Sequence, residues 1–351
     1  MEKEYTSIEP KDNPYLIGHE ATEKRFLSAW QNSMLHQAWL ISGPKGIGKA
    51  TLAYKMARFL LSADERQKEE YTSLDVSPES VVFRQVSQGA HPDFKLLERG
   101  FLKTEKQKII KAIKDGNYLT DEELGDLKKS AVISVDDVRT VHEFLSKKSA
   151  DGHWRVVLVD SADEMNAASA NALLKVLEEP PHKTLMLLIS HNPSRLLPTI
   201  KSRCAKLDLP PLSEACVASL LRRYQPEMSE EMIKKTAAIS SGSIGKAIAY
   251  VDGGAVQFYD QIYGLATSGK NFKTAEMLKF CDQVTSSEES YELFKELILK
   301  FLSEQVRALN KVEESAEAFD KVCKIFSETE GLNLDKRQAV MNMMVMVCRI
   351  Y

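Results

Sequence analysis

The chain has 351 residues, enough for two or three domains. Lys and Arg number 47 against 50 Asp and Glu, a formal net charge of −3, which excludes a strongly basic protein that wraps nucleic acid unaided but leaves room for a local basic face. No apolar run approaches the roughly 18 residues of a membrane span, the polar start from Met1 to Pro14 lacks a signal-peptide core, and five scattered cysteines (Cys204, Cys216, Cys281, Cys323, Cys348) speak against a disulfide framework or a four-Cys zinc site. The expectation is a soluble, cytoplasmic, multidomain protein.

The first half alternates aliphatic runs with helical patterns and predicts an α/β fold with a parallel sheet. Ala38–Ser42 is a candidate buried strand, followed by a Gly-rich turn and a helix carrying Leu52, Met56, Phe59 and Leu60. From about 98 to 130 the chain becomes rich in Lys, Glu and Asp, with Ile109, Ile110 and Ile113 at helical spacing. This predicts a solvated insertion with helical content. Arg155–Asp160 and Thr184–Ser190 are two more apolar strands, of the kind covered by helices on both faces. Pro210 and Pro211 end the α/β portion. Beyond them the spacing is helical, with breaks at Ser241-Gly242-Ser243 and Gly253-Gly254, and the Met- and Val-rich stretch 340–347 needs burial. Three domains follow: 1–210 α/β, 211–252 a small helical domain, and 253–351 a second helical domain.

Gly43-Pro44-Lys45-Gly46-Ile47-Gly48-Lys49 fits the phosphate-cradling loop between a strand and a helix. Gly43, Gly46 and Gly48 let backbone N–H groups converge on phosphate oxygens, the helix adds its positive dipole end, and Lys49 reaches the outer phosphates. The Mg²⁺-ligating hydroxyl expected after the lysine is replaced by Ala50, and Thr51 carries it one residue late, rotated by about 100°. The strand ending at Asp160 has the form of a segment whose carboxylate holds the metal. The adjacent position, where an ATPase needs a water-orienting carboxylate, is Ser161. Asp163 and Glu164 are expected to open the following helix. The phosphate cradle is kept and two parts of the hydrolytic machinery are absent. Whether ATP binds without hydrolysis stays open.

Ala170-Asn171-Ala172-Leu173-Leu174-Lys175-Val176-Leu177-Glu178-Glu179-Pro180-Pro181 followed by Ser202-Arg203-Cys204 resembles the clamp-loader branch of the AAA+ proteins. Ile17-Gly18-His19, Ala90-His91-Pro92-Asp93-Phe94 and Ile133 to Arg139 extend the likeness across roughly residues 13–248. Within that family the lost hydroxyl and lost carboxylate are similar to the delta prime branch of the DNA polymerase III clamp loaders. The resemblance implies an AAA+ P-loop domain, a helical lid at 211–252 and a C-terminal collar at 253–351. It also implies gamma/tau and delta subunits as partners, with the sliding β clamp and primed DNA reached through the complex. No intrinsic polymerase or ATPase activity is expected, only membership of the polymerase holoenzyme. Arg203 is expected to reach, in trans, ATP bound by a neighbouring subunit, because a guanidinium is permanently charged and bidentate toward phosphate. Arg203 pairing with a carboxylate, or capping the helix near Thr199, is the structural alternative. Family members usually carry a four-Cys zinc module before the His-Pro-Asp segment and a sensor Arg after Gly-Ser-x. Here 81–89 has no Cys, Gly245 and Lys246 follow Gly242-Ser243-Ile244, and zinc is not expected. Two rival functions are a gamma/tau-like ATPase rescued by Thr51 and a DNA-binding module using the charged insertion.

Overall fold

The computed structural model describes residues 9–115, 117, 120, 123, 127–147, 153–269, 273–308 and 312–350. The chain divides into two compact units, 1–216 and 217–351.

The first unit holds a five-stranded parallel sheet in the order β2-β3-β4-β1-β5, formed by β1 (Ala38–Ser42), β2 (Phe94–Leu97), β3 (Arg155–Val159), β4 (Thr184–Ser190) and β5 (Ala205–Asp208). The three central strands are buried at every position. Side chains alternate between faces along a strand, and here both faces are dry. Trp39, Ile41, Val156, Leu158, Leu185, Leu187 and Ile189 join one cluster with α1 (Glu20–Gln31) and α2 (Lys49–Ser62). Leu40, Val157, Val159, Met186 and Leu188 join the other with α5 (Val135–Ser146) and α6 (Ala167–Glu178). That is why these strands read as uninterrupted apolar runs rather than as alternating ones. Local signals start the helices on the second face: Ser134 and Asp137 form a reciprocal capping box on α5, and the Asn166 side chain accepts from Ser169 N–H on α6.

The cysteine-free stretch before Phe94 forms α3 (Val81–Ser87), with Phe83 and Val86 buried. Buried Arg58 lies with its guanidinium carbon 3.7 Å above the Phe83 ring. It donates to the backbone oxygens of Asn13 (3.2 Å) and Lys11. A stacked cation and main-chain acceptors therefore hold α3 and the segment before α1 to the body.

The charged insertion is rooted by a short stem in which Leu102 N–H donates to Lys128 O (3.0 Å) and Ser130 N–H to Gly100 O (2.7 Å). It carries α4 (Lys103–Lys114), tied to α5 by Lys106 and Asp137 at 3.2 Å. Ile110 and Ile113 are exposed, so the isoleucine spacing marks a wet helix and not a core face. Much of 116–126 lies outside the described residues.

The second unit is helical. Between the helix Glu214–Tyr224, which crosses the division, and the last helix, Lys336–Cys348, one hydrophobic cluster runs from Ile239 and Tyr250 through Phe294, Leu297 and Phe301 to Val340, Met343, Met344 and Val347. The Met- and Val-rich stretch is core. Among the described residues no helix is long and apolar enough to cross a membrane.

Candidate functional site

The turn from β1 into α2 sits at the carboxyl end of the sheet, between its neighbours β4 and β5. Gly43 has φ +146° and an added Cβ would lie 2.5 Å from Leu209 O, so only glycine fits where this backbone passes the exit of β5. Gly46 (φ +79°) and Gly48 (φ +95°) complete the left-handed path, and no side chain caps the first turn of α2. Ile47 is fully buried, and its carbonyl accepts a 2.7 Å bond from buried His19 Nε2. In the sequence His19 is marked only by a family resemblance. Its role in anchoring the loop depends on a contact across 28 residues that no local pattern reveals.

Lys49 is 3% exposed, and its ammonium donates to Gly43 O at 2.7 Å and to Pro44 O. Burial pushes its pKa down to about 8, opposed by the charges of Asp163 and Asp160. Burial raises the carboxyl of Asp160, countered first by His191. Ala50 occupies the metal-hydroxyl position, and Thr51 is buried within α2. The residues present fit a phosphate group; the donor set for Mg²⁺ is incomplete. Ser161 follows Asp160 in a left-handed conformation (φ +59°), its hydroxyl 3.2 Å from His191 Nε2.

Two nearby carboxylates could replace the missing water-orienting group, and both are engaged. Asp163 accepts from the backbone N–H of His191 (2.9 Å) and of Asn192 (3.2 Å), and Glu164 pairs with Arg99 at 2.8 Å. They do not open the following helix as the sequence suggested. They form a separate one-turn 3₁₀ segment, because Asn166 takes the capping position of α6.

Arg203 lies at the other end of the sheet. It precedes β5, whose Ala205 pairs with Trp39 and whose Asp208 pairs with Ser42, immediately before the phosphate loop. Four residues of strand, roughly 13 Å, separate the two ends. Its guanidinium donates to Glu178 Oε1 (2.7 Å) and Thr199 O (3.0 Å). Both halves of the structural alternative, carboxylate pairing and a helix carbonyl near Thr199, are thus present in the isolated chain. Cys204 is buried, and burial pushes its thiol up to about 11, which removes it as a nucleophile.

The family model described as "DNA polymerase III, delta subunit" matches residues 18–213, more than half of the chain. The chain belongs to this family. Among its relatives is the DNA polymerase III subunit delta prime of Pseudomonas aeruginosa, 34% identical over 223 residues, covering 61% of this chain and 58% of that protein. The delta prime subunit of Escherichia coli is 30% identical over 230 residues, covering 66% and 59%. The tau/gamma subunit of Haemophilus influenzae is 25% identical over 247 residues, covering 69% and 31%. The chain thus spans less than two thirds of the length of the delta prime relatives it matches. The matched region holds the whole phosphate loop, Asp160 and Arg203, and it ends before the helical unit.

Within this family member, Lys246 pairs with Glu296 at 2.9 Å, and its N–H is capped by Ser243. The Lys246 side chain is therefore part of the helical unit's own ion pairing. Among the described residues, no group of three His, Cys, Asp or Glu could hold a metal.

Proposed function

We propose that this chain is a delta prime-like subunit of a DNA polymerase III clamp loader: a member of the ring that does not hydrolyse ATP itself and lends Arg203 to the ATP site of a neighbour. Gamma/tau and delta subunits would be its partners, and the complex would load the sliding β clamp on primed DNA. In this reading 211–252 acts as lid and 253–351 as collar. One observation carries the proposal: Arg203 sits at the opposite end of the sheet from the chain's own phosphate loop. An arginine side chain does not span that distance, so the chain's own phosphate loop is out of its reach, which supports a role toward a neighbour. The cis site supports the same reading, because Asp163 and Glu164 are already committed. Buried Thr51 gives no support to the gamma/tau-like ATPase alternative.

The test is reconstitution with purified gamma/tau and delta, measuring clamp loading with and without this chain. Loading should require it. The isolated chain should hydrolyse ATP no faster than its Lys49→Ala variant, since each missing group removes positioning or charge stabilisation. In the complex, Arg203→Ala should assemble normally and load slowly, and Arg203→Lys should rescue poorly, because a point charge does not reproduce the planar fork. Turnover by the isolated chain above that of its Lys49→Ala variant would favour the ATPase alternative.

A further inference from the structure

We infer that Glu178 is the positioning residue for Arg203, an inference that rests on the trans role proposed above. Glu178 is the last residue of α6, where a carboxylate faces the negative end of the helix dipole. A glutamate there is mildly unfavourable for its own helix, and its observed contact is with Arg203. Its Oε1 accepts from Arg203 Nη2 at 2.7 Å, while Arg203 Nη1 donates to Thr199 O in α7 (Pro198–Lys201) at 3.0 Å. Two acceptors on two different helices thus fix the plane of one guanidinium. They use two of its five N–H donors, and among the described residues the remaining three meet no acceptor. The side chain is one third exposed and lines an open cleft with His36, Gln37, Leu177 and Pro180. Arg203 can therefore bind an incoming phosphate oxygen without releasing either anchor. The fork is oriented before the neighbour arrives, so less side-chain freedom is lost when it docks. An exposed ion pair is individually weak, and its effect here is on direction, not on fold stability.

The experiment is a double-mutant cycle in the full complex, reading clamp-loading rate against ATP concentration for the wild type, E178Q, E178D, R203A and E178Q/R203A, with assembly checked by gel filtration. E178Q should lower the maximal rate roughly two- to fivefold and leave the half-saturating ATP concentration unchanged. E178D should recover part of the loss, and the double variant should load no more slowly than R203A, because the two residues act as one unit. Wild-type loading by E178Q beside a slow R203A would overturn the positioning role and leave the trans role standing. The same holds for losses that simply add, or for E178Q loading faster than wild type, which would make Glu178 a brake. Wild-type loading by R203A would overturn the trans role and this inference with it.

Discussion

Burial of the Lys49 ammonium at the head of α2 depresses its pKa from 10.5 to about 8. Below pH 8 both the folded and unfolded states hold this proton, and the folded state bears the full desolvation cost. Between pH 8 and 10.5 the unfolded state binds more protons, so this group makes stability rise with pH. Urea unfolding of the wild type and Lys49→Met at pH 7 and pH 10 should therefore show the wild type gaining on the variant, on the order of 1–3 kcal/mol. A constant difference would mean that the ammonium is effectively solvated. Arg58 poses a different problem at the same scale. Among the described residues it pairs with no carboxylate, yet it is buried between Tyr54 and Phe83 with backbone carbonyls as acceptors. Arg58→Lys keeps the charge and loses the stacked plane, so a destabilisation of roughly 2 kcal/mol is expected in the urea midpoint. A shift within measurement error would place the hold on α3 in Phe83 and Val86 alone.

The ends of the insertion are joined where it leaves the body. Leu102 and Lys128 are hydrogen-bonded across the stem, and Lys129 pairs with Glu98 at 2.8 Å. Replacing 103–127 by a short Gly-Ser link should leave the thermal midpoint within a few degrees of wild type. A larger drop would show that α4 contributes to the body's stability. Two strands escaped sequence reading altogether. β2 (Phe-Lys-Leu-Leu) and β5 (Ala-Lys-Leu-Asp) are four-residue edge strands with mixed polarity, too short for any period to emerge. Their backbones become strands because β3 and β1 present unpaired ladders to them. β5 matters most, since it carries Arg203 to the far end of the sheet.

For the whole molecule, the place of the division sets what can be removed. A cut at 252, suggested by Gly253 and Gly254, separates Ile239 and Tyr250 from the cluster they share with Phe258, Phe294 and Val340. A cut at 216 follows the division into compact units. The fragment 1–216 should fold cooperatively and resist limited proteolysis, whereas 1–252 should be clipped rapidly within 217–252. Equal resistance of the two fragments would mean that 217–252 holds its structure without the rest of the cluster. If the collar reading is right, neither fragment should co-purify with gamma/tau and delta.

The sequence by itself determined the parallel α/β class, three of the five strands, the phosphate loop, and the absence of Ser or Thr at position 50 and of a carboxylate at 161. Those features are local: apolar runs bounded by turn residues, and chemistry decided by the identity of one residue beside another. Only the tertiary structure decided what Asp163, Glu164, Lys246 and Arg58 do, because each is committed to a partner that no spacing predicts. It also decided that Arg203 sits at the end of the sheet opposite the chain's own phosphate loop and is hydrogen-bonded to Glu178, 25 residues earlier. Strand order and helix ends brought those two together; the motif supplied the arginine, and the packing supplied its direction.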